Sequence, residues 1–170
     1  MPAGLPAEGR QAGTYKPEMF PFLRKKKVFF TSAEMQEIKA AIVQAEQRTS
    51  GEVRVFVESK CSYVNAIDRA AEIFYNLGMQ KTKLRNAVLV YIAMKDHQLA
   101  VFGDEGIHQK VGNKYWQEKV GVMIALFSRN NYTLAIIQTV KDIGEALHTH
   151  FPYDDKIDKN ELPDDIIFGK

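Results

Sequence analysis

The segment NAVLVYIAM, residues 86–94, constrains the fold most strongly, because it is almost wholly apolar and short. Such a run predicts a central strand that is covered on both faces. Residues 65–79, just before it, carry an apolar stripe at helical spacing and contain Gly78 as a stop, which predicts a helix. Residues 52–59, EVRVFVES, alternate valine with other side chains and predict a strand with one firmly buried face. Strand, helix and strand in this order imply a parallel pair with a right-handed crossover.

A tight reversal is predicted after the central strand. Residues 95–97, KDH, are too few for a crossover, so residues 98–103, QLAVFG, are expected to return as an antiparallel neighbour. Near the start of the fold, Thr31 and Glu34 have the spacing of a capping box. This pattern predicts that an amphipathic helix begins there and extends over residues 33–48.

Two more helices are predicted after the hairpin, one over residues 112–128 and one that begins at Tyr132. The side chains expected to face inward are Tyr115, Val120, Ile124 and Phe127 in the first, and Leu134, Ile137, Val140, Ile143 and Leu147 in the second. The order is therefore α-β-α-β-β-α-α. This order predicts a three-layer α/β/α sandwich around a small mixed sheet.

The predicted domain covers residues 28–151 and is flanked by two segments of different composition. Residues 1–27 hold four of the six prolines, and we interpret them as a disordered leader or a non-native addition. Their basic run, residues 24–27, is interpreted as solvated charge, with a membrane or nucleic-acid contact as the sharper alternative. Residues 152–170 are acidic and are interpreted as an extended tail.

Composition excludes several classes of protein. The formal net charge is +2, from 23 basic and 21 acidic residues, so we expect no nucleic-acid partner. Cys61 is the single cysteine, which excludes an intrachain disulfide and a cysteine-based zinc site and fits a reducing compartment. The chain has no apolar stretch of about 18 residues, so we expect no transmembrane segment and predict a cytoplasmic protein.

Acidic side chains are predicted to converge at one edge of the sheet. Glu52 begins the first strand and Asn86 precedes the second, and parallel strands start at the same edge. The antiparallel third strand returns to that edge at Asp104 and Glu105. Oxygen ligands without nitrogen or sulfur suit calcium, or alternatively magnesium. We therefore predict a divalent-cation site formed by these four residues.

Ordinary structural roles stay open for the same residues. Glu52 could be a solvated strand start, and Asp104 could cap the next helix, where the helix dipole favours an acidic side chain. A site at the opposite edge also stays open, because ligands of open α/β sheets usually bind beyond the carboxyl ends of the parallel strands. That alternative site would lie near Ser59, Ser62 and Asp96.

The chain contains the segments RTSGEVRVFV, LGMQKTKLRNAVLVYIAMKDHQLAVFGDEGI and ALFSRNNYTLAIIQTVKDIGEAL. These segments resemble the TPM domain, a family named after a thylakoid lumen protein, a photosystem II accessory protein and a worm receptor-accessory protein. The similarity extends from Thr31 to His148, and the C-terminal NELPDDIIFGK is similar to the tails of small bacterial members. The resemblance implies an α/β/α sandwich, calcium binding at the acidic edge and, for a plant member, acid phosphatase activity.

The resemblance places the family's acidic edge on Ser50, Gly51, Glu52, Asn86, Gly103, Asp104 and Glu105. The chain departs from the family pattern at two positions. Members often carry Asn-Asn-Gly before the second strand, where this chain has Arg85-Asn86-Ala87, which changes any inherited catalytic geometry. Many carry Gly-x-Gly in the turn, where this chain has Gly-Asp-Glu-Gly, and the extra carboxylate favours a cation.

Two functions are predicted. The first is a calcium-binding TPM protein with metal-assisted phosphomonoester hydrolysis, in which Asp104 or a metal-bound water attacks a phosphorylated small molecule. Lys81, Lys83 and Arg85 would then bind the phosphate and stabilise its charge. The alternative is a non-enzymatic accessory module, in which calcium is structural and the partner is a protein complex.

Overall fold

The computed structural model describes residues 28–156 and 163–169. Its elements are α1 (Ser32–Glu46), β1 (Glu52–Glu58), α2 (Ala66–Asn76), a 3₁₀ turn (Met79–Lys81), β2 (Ala87–Ala93), β3 (Gln98–Gly103), α3 (Glu105–Phe127), α4 (Tyr132–His150) and β4 (Ile167–Phe168). The predicted α/β/α sandwich and its order are confirmed, with the 3₁₀ turn and β4 as additions. The predicted leader, residues 1–27, lies outside the described residues.

The described sheet has the strand order β3-β2-β1-β4. β1 and β2 are parallel, with Glu52 opposite Ala87, and β2 and β3 are antiparallel, with Val88 opposite Gly103. The starts of β1 and β2 and the end of β3 therefore lie at one edge, as the predicted strand directions required. We call this edge, formed by residues 50–52, 85–87 and 103–106, the amino rim.

Helices cover both faces of the sheet. Val53, Val55 and Val57 face α1, α3 and α4, whereas Phe56 lies on the other face in the core that includes α2. Every residue of β1 is buried, so the prediction of one buried face was too narrow. The reason is that α2 and the C-terminal segment cover the face that carries Arg54 and Phe56.

Two helical stripes differ from the predicted ones. α3 begins at Glu105, ahead of the predicted start, and Gly112 interrupts it with φ of 74°. After the kink the inward stripe is Trp116, Val120, Met123 and Phe127 at regular helical spacing, so Met123 is buried and Ile124 is 53% exposed. In α4 the predicted Leu134 is 52% exposed and Ile136 is buried in its place, because α4 packs between α1 and α3 as well as on the sheet.

Part of the predicted tail belongs to the sheet. Ile167 and Phe168 pair in parallel with Phe56 and Val57, and the backbone N–H of Gly169 donates to the carbonyl of Val57 at 2.8 Å. The strand is too short to show alternation, so the sequence carried no signal for it. Within residues 28–156 and 163–169, no helix has the length and apolar character that crossing a membrane requires.

Candidate functional site

The strand register brings the predicted acidic residues to one row of the amino rim. Glu52 lies opposite Ala87, and the backbone N–H of Asp104 donates to the Ala87 carbonyl at 2.9 Å. Glu52 and Asp104 are 5% and 3% exposed. Neighbouring strands are about 4.8 Å apart, so the backbones of these two residues are separated by roughly 10 Å. They share the rim, with Ala87 between them.

The carboxylate of Asp104 is engaged by two groups. The Arg85 guanidinium donates from Nε to Oδ2 at 2.7 Å and from Nη2 to Oδ1 at 2.8 Å. Oδ1 also accepts from the backbone N–H of Glu105 at 2.8 Å, so Asp104 is the N-cap of α3. Hydrogen bonding to Asp104 raises the pKa of Arg85. A forked contact of this kind is among the stronger polar interactions in proteins, and it occupies both carboxylate oxygens.

The glycines that flank Asp104 are required by close packing. A Cβ on Gly103 would lie 2.3 Å from the Trp116 ring, and one on Gly106 would lie 2.3 Å from the backbone oxygen of Leu84. The backbone N–H of Gly106 donates to the Arg85 carbonyl at 2.8 Å. This N–H therefore serves the turn, and it is not directed at a bound anion.

The other predicted site residues have different surroundings. Asn86 is 1% exposed, and its Nδ2 donates to Ser50 Oγ at 3.3 Å, which joins two segments of the rim. Glu105 is exposed, and its Oε2 lies 3.9 Å from Arg85 Nη1. Lys81 and Lys83 are exposed on the segment that leads to β2. In the part of the chain that the structure describes, no three His, Cys, Asp or Glu side chains are grouped to hold a metal ion.

A second acidic feature at this rim was missed by the sequence analysis. Glu46, Glu52 and Asp164 line a cavity of about 290 Å³. Glu46 accepts from the backbone N–H of Val53 at 2.7 Å, and burial raises its pKa to about 9, with Asp164 and Glu52 adding to the shift. Glu46 therefore carries a proton at neutral pH. The available signal was an acidic side chain at the end of a helix, where the dipole disfavours it.

At the opposite edge of the sheet, a network of hydrogen bonds surrounds the buried carboxylate of Glu58. Glu58 is 3% exposed and accepts from Arg69 Nε at 2.9 Å, Arg69 Nη2 at 2.8 Å and the Tyr91 hydroxyl at 2.6 Å. Asp96 accepts from the backbone N–H of Cys61 at 2.7 Å. These contacts fasten α2 and its preceding loop to the sheet. They give Glu58 and Asp96 a structural role at this edge.

Comparison with known proteins identifies a family and solved structures that share this fold. A family model described as the TPM domain matches residues 24–146. The NMR structure of the BA42 protein from the psychrophilic bacterium Bizionia argentinensis is 36% identical with a TM-score of 0.77, and the match covers 85% of this chain and 99% of that one. The N-terminal domain of the cg2496 protein from Corynebacterium glutamicum is 13% identical with a TM-score of 0.53, covering 78% and 84%, which shows the fold alone. No curated protein matches the chain.

Proposed function

This chain belongs to the TPM-domain family, and from that premise we propose that it is a non-enzymatic accessory module that binds a partner protein. The observation that carries the proposal is the engagement of Asp104. Both oxygens of this carboxylate accept hydrogen bonds from Arg85, and one also caps α3. A nucleophile needs a free oxygen directed at its substrate. Asp104 instead stabilises the turn, and its contact with Arg85 also occupies the guanidinium that would bind a phosphate.

Hydrolysis of p-nitrophenyl phosphate by the full chain tests this proposal. We expect the same rate for the wild-type protein and for Asp104→Asn, with or without millimolar calcium, because Asp104 has no catalytic task. Asparagine retains an oxygen that can cap the helix, so it is the conservative control. Hydrolysis that exceeds the buffer rate in the wild type and is lost in Asp104→Asn would overturn the proposal.

Calcium binding with phosphomonoester hydrolysis is the second candidate. It is favoured by the strand register, which places Glu52 and Asp104 at one rim. Asn86 and Glu105 lie beside them. The basic residues Lys81, Lys83 and Arg85 lie on the adjoining segment. The donor chemistry suits calcium, which would supply charge neutralisation for a phosphate. The arrangement of the described side chains does not fit, because the guanidinium of Arg85 already occupies Asp104.

A calcium titration followed by NMR separates the two candidates at the level of binding. If calcium binds at Asp104, it must displace Arg85, so Arg85→Gln would bind calcium more tightly than the wild type and Asp104→Asn would not bind it. Stabilisation by a ligand that is present at a hundredfold excess over its dissociation constant is about 2.7 kcal/mol. The accessory module proposed here dispenses with the structural calcium of the sequence-based alternative, so it predicts no calcium shift at Asp104 in the wild type.

A further inference from the structure

The edge of the sheet opposite the amino rim is where β1, β2 and β4 end and β3 begins. α1 and α4 begin at the same edge, because both end at the amino rim. Glu46 of α1 accepts from the Val53 N–H there at 2.7 Å, and the carbonyl of Phe151, just after α4, accepts from the Ser50 N–H at 3.0 Å. We call this opposite edge the carboxyl rim, with residues 28–34, 59–68, 94–97, 128–134 and 168–169.

Large apolar side chains are exposed around the carboxyl rim. Val28 is 77% exposed, Val64 94%, Ile67 46%, Leu134 52% and Phe168 47%. These residues come from five separate parts of the chain, which the fold brings to one edge. Exposed apolar residues that occur singly are ordinary, whereas a group that gathers at one edge marks an interaction surface.

Hydrogen bonds hold the segments of the carboxyl rim together. The backbone N–H of Lys95 donates to the Ser59 carbonyl at 2.8 Å, which joins the turn after β2 to the loop after β1. On the other face of the sheet, the Thr133 hydroxyl donates to Glu34 at 3.0 Å, which joins the start of α4 to the start of α1. The exposed apolar side chains are therefore presented by an ordered surface.

Positive charge adjoins this surface. Residues 24–27, RKKK, are four consecutive basic residues and immediately precede Val28, where the described chain reaches the rim. Lys60 and Lys95 are exposed at the rim itself, where acidic side chains, among them Asp96, offset their charge. The excess of positive charge at this edge is therefore that of residues 24–27. It is local, because the whole chain has a net charge of only +2.

We propose that the carboxyl rim docks on an anionic lipid surface, with its apolar side chains in the headgroup layer and the basic residues facing the lipid charges. Neither contact suffices alone, because stable attachment to a membrane surface takes two signals, an apolar one and a basic one. A nucleic acid would attract the same basic run, but it offers no apolar layer for Val64 and Leu134. The inference concerns where the chain attaches, and it is independent of the partner protein.

Two pairs of exposed lysines provide matched variants for the test. Lys60→Gln combined with Lys95→Gln removes two positive charges at the carboxyl rim. Lys81→Gln combined with Lys83→Gln removes the same charge from the segment beside the amino rim. A strand of this length separates the two rims by about 20 Å, which exceeds the Debye length of about 10 Å at moderate salt. Only the first pair should therefore act on a surface that contacts the carboxyl rim.

Co-sedimentation of the full chain with phosphatidylcholine vesicles, prepared with and without phosphatidylserine, measures the attachment. We expect binding only to the vesicles that contain phosphatidylserine. It should weaken about fivefold for each lysine removed at the carboxyl rim and stay unchanged in the pair beside the amino rim. Val64→Ser should weaken it about tenfold, whereas Leu84→Ser, which removes an apolar side chain beside the amino rim, should not.

Three results would overturn the inference. The first is no binding to the phosphatidylserine vesicles. The second is an equal loss in the two lysine pairs, which indicates attraction of charge without a docked edge. The third is equal binding of the wild type and Val64→Ser, which indicates a contact with any polyanion, RNA included. Each of these results can occur while phosphate-ester hydrolysis stays absent, so the failure of this inference is distinguishable from failure of the accessory role.

Discussion

Two carboxyl groups, one in the amino rim and one beside it, have different surroundings. Asp104 is buried and paired with the guanidinium of Arg85. Glu46 is partly buried among Glu52, Asp164 and the cation Arg54, and its removal from water raises its pKa to about 9. Removing a carboxyl group from water disfavours its charged form, so it must gain a cationic partner or retain its proton. Both solutions occur in or beside one rim.

Glu46 predicts a pH dependence of stability. The folded state holds the proton more tightly than the unfolded chain, in which the pKa is near the ordinary value of 4.5. The contribution of this group to stability is complete below that value, falls by at most about 1.4 kcal/mol per pH unit, and is lost as the pH rises through about 9. Glu46→Gln, which resembles the protonated acid, should abolish this loss.

Urea unfolding in the presence of a chelator, from about pH 5 to about pH 9, tests this prediction by comparing the free energy of unfolding of Glu46→Gln with that of the wild type. The variant and the wild type should have similar stability at the acidic end, and the variant should be the more stable at the alkaline end. Parallel curves across the range would contradict a protonated Glu46.

At the scale of elements, the turn from β3 to α3 is defined by backbone contacts. Gly106 lies against the carbonyl oxygens of Leu84 and Arg85, at 2.3 and 2.7 Å from a would-be Cβ. Backbone atoms of the segment before β2 cannot move aside as a flexible side chain can. The glycine therefore sets the distance between this segment and the start of α3, and it places Asp104 beside Arg85.

Alanine substitutions at two glycines should change stability in opposite directions. Gly106→Ala should destabilise the fold by about 2–3 kcal/mol, because its methyl group overlaps backbone oxygen. Gly121→Ala should stabilise it by about 1 kcal/mol, because it removes a flexible residue from a helix interior without any clash. Chemical denaturation of the two variants measures both effects. A neutral Gly106→Ala would contradict the close approach.

The order of the elements could be predicted from the sequence, whereas the contacts of the rim could not. Alternation in residues 52–58 and the short link at residues 95–97 were sufficient for a parallel pair followed by a reversal. The pairing of Arg85 with Asp104 depends on φ of 52° at Arg85, a left-handed conformation for which the sequence offers no glycine or asparagine as a signal.

At the scale of the whole molecule, the C-terminal segment completes the sheet and the cavity beside Glu46. β4 covers part of the free edge of β1, and Asp165 Oδ1 accepts from Lys39 Nζ of α1 at 2.6 Å. An edge strand presents unpaired backbone groups, so its coverage protects against unwanted pairing. Local alternation could not predict this return, because the pairing spans two residues and joins segments that are distant in the sequence.

Removal of residues 163–170 should therefore weaken the fold without abolishing it. We expect a loss of about 1–2 kcal/mol from the backbone bonds and the half-buried Ile167. Hydrogen exchange should become faster at the amides of β1 that face β4. Phe168→Ala is the control, because Phe168 is 47% exposed and its backbone pairing is retained. Unchanged exchange in the truncated chain would contradict the docking of β4.

The ¹⁵N NMR signal of the Arg85 Nε–H reports on the contact between Arg85 and Asp104. We expect this signal to exchange slowly with water in the wild type, to exchange rapidly in Asp104→Asn, and to stay unchanged when millimolar calcium is added. A signal that exchanges rapidly in the wild type, or that calcium releases, would show that Asp104 is free to bind a cation.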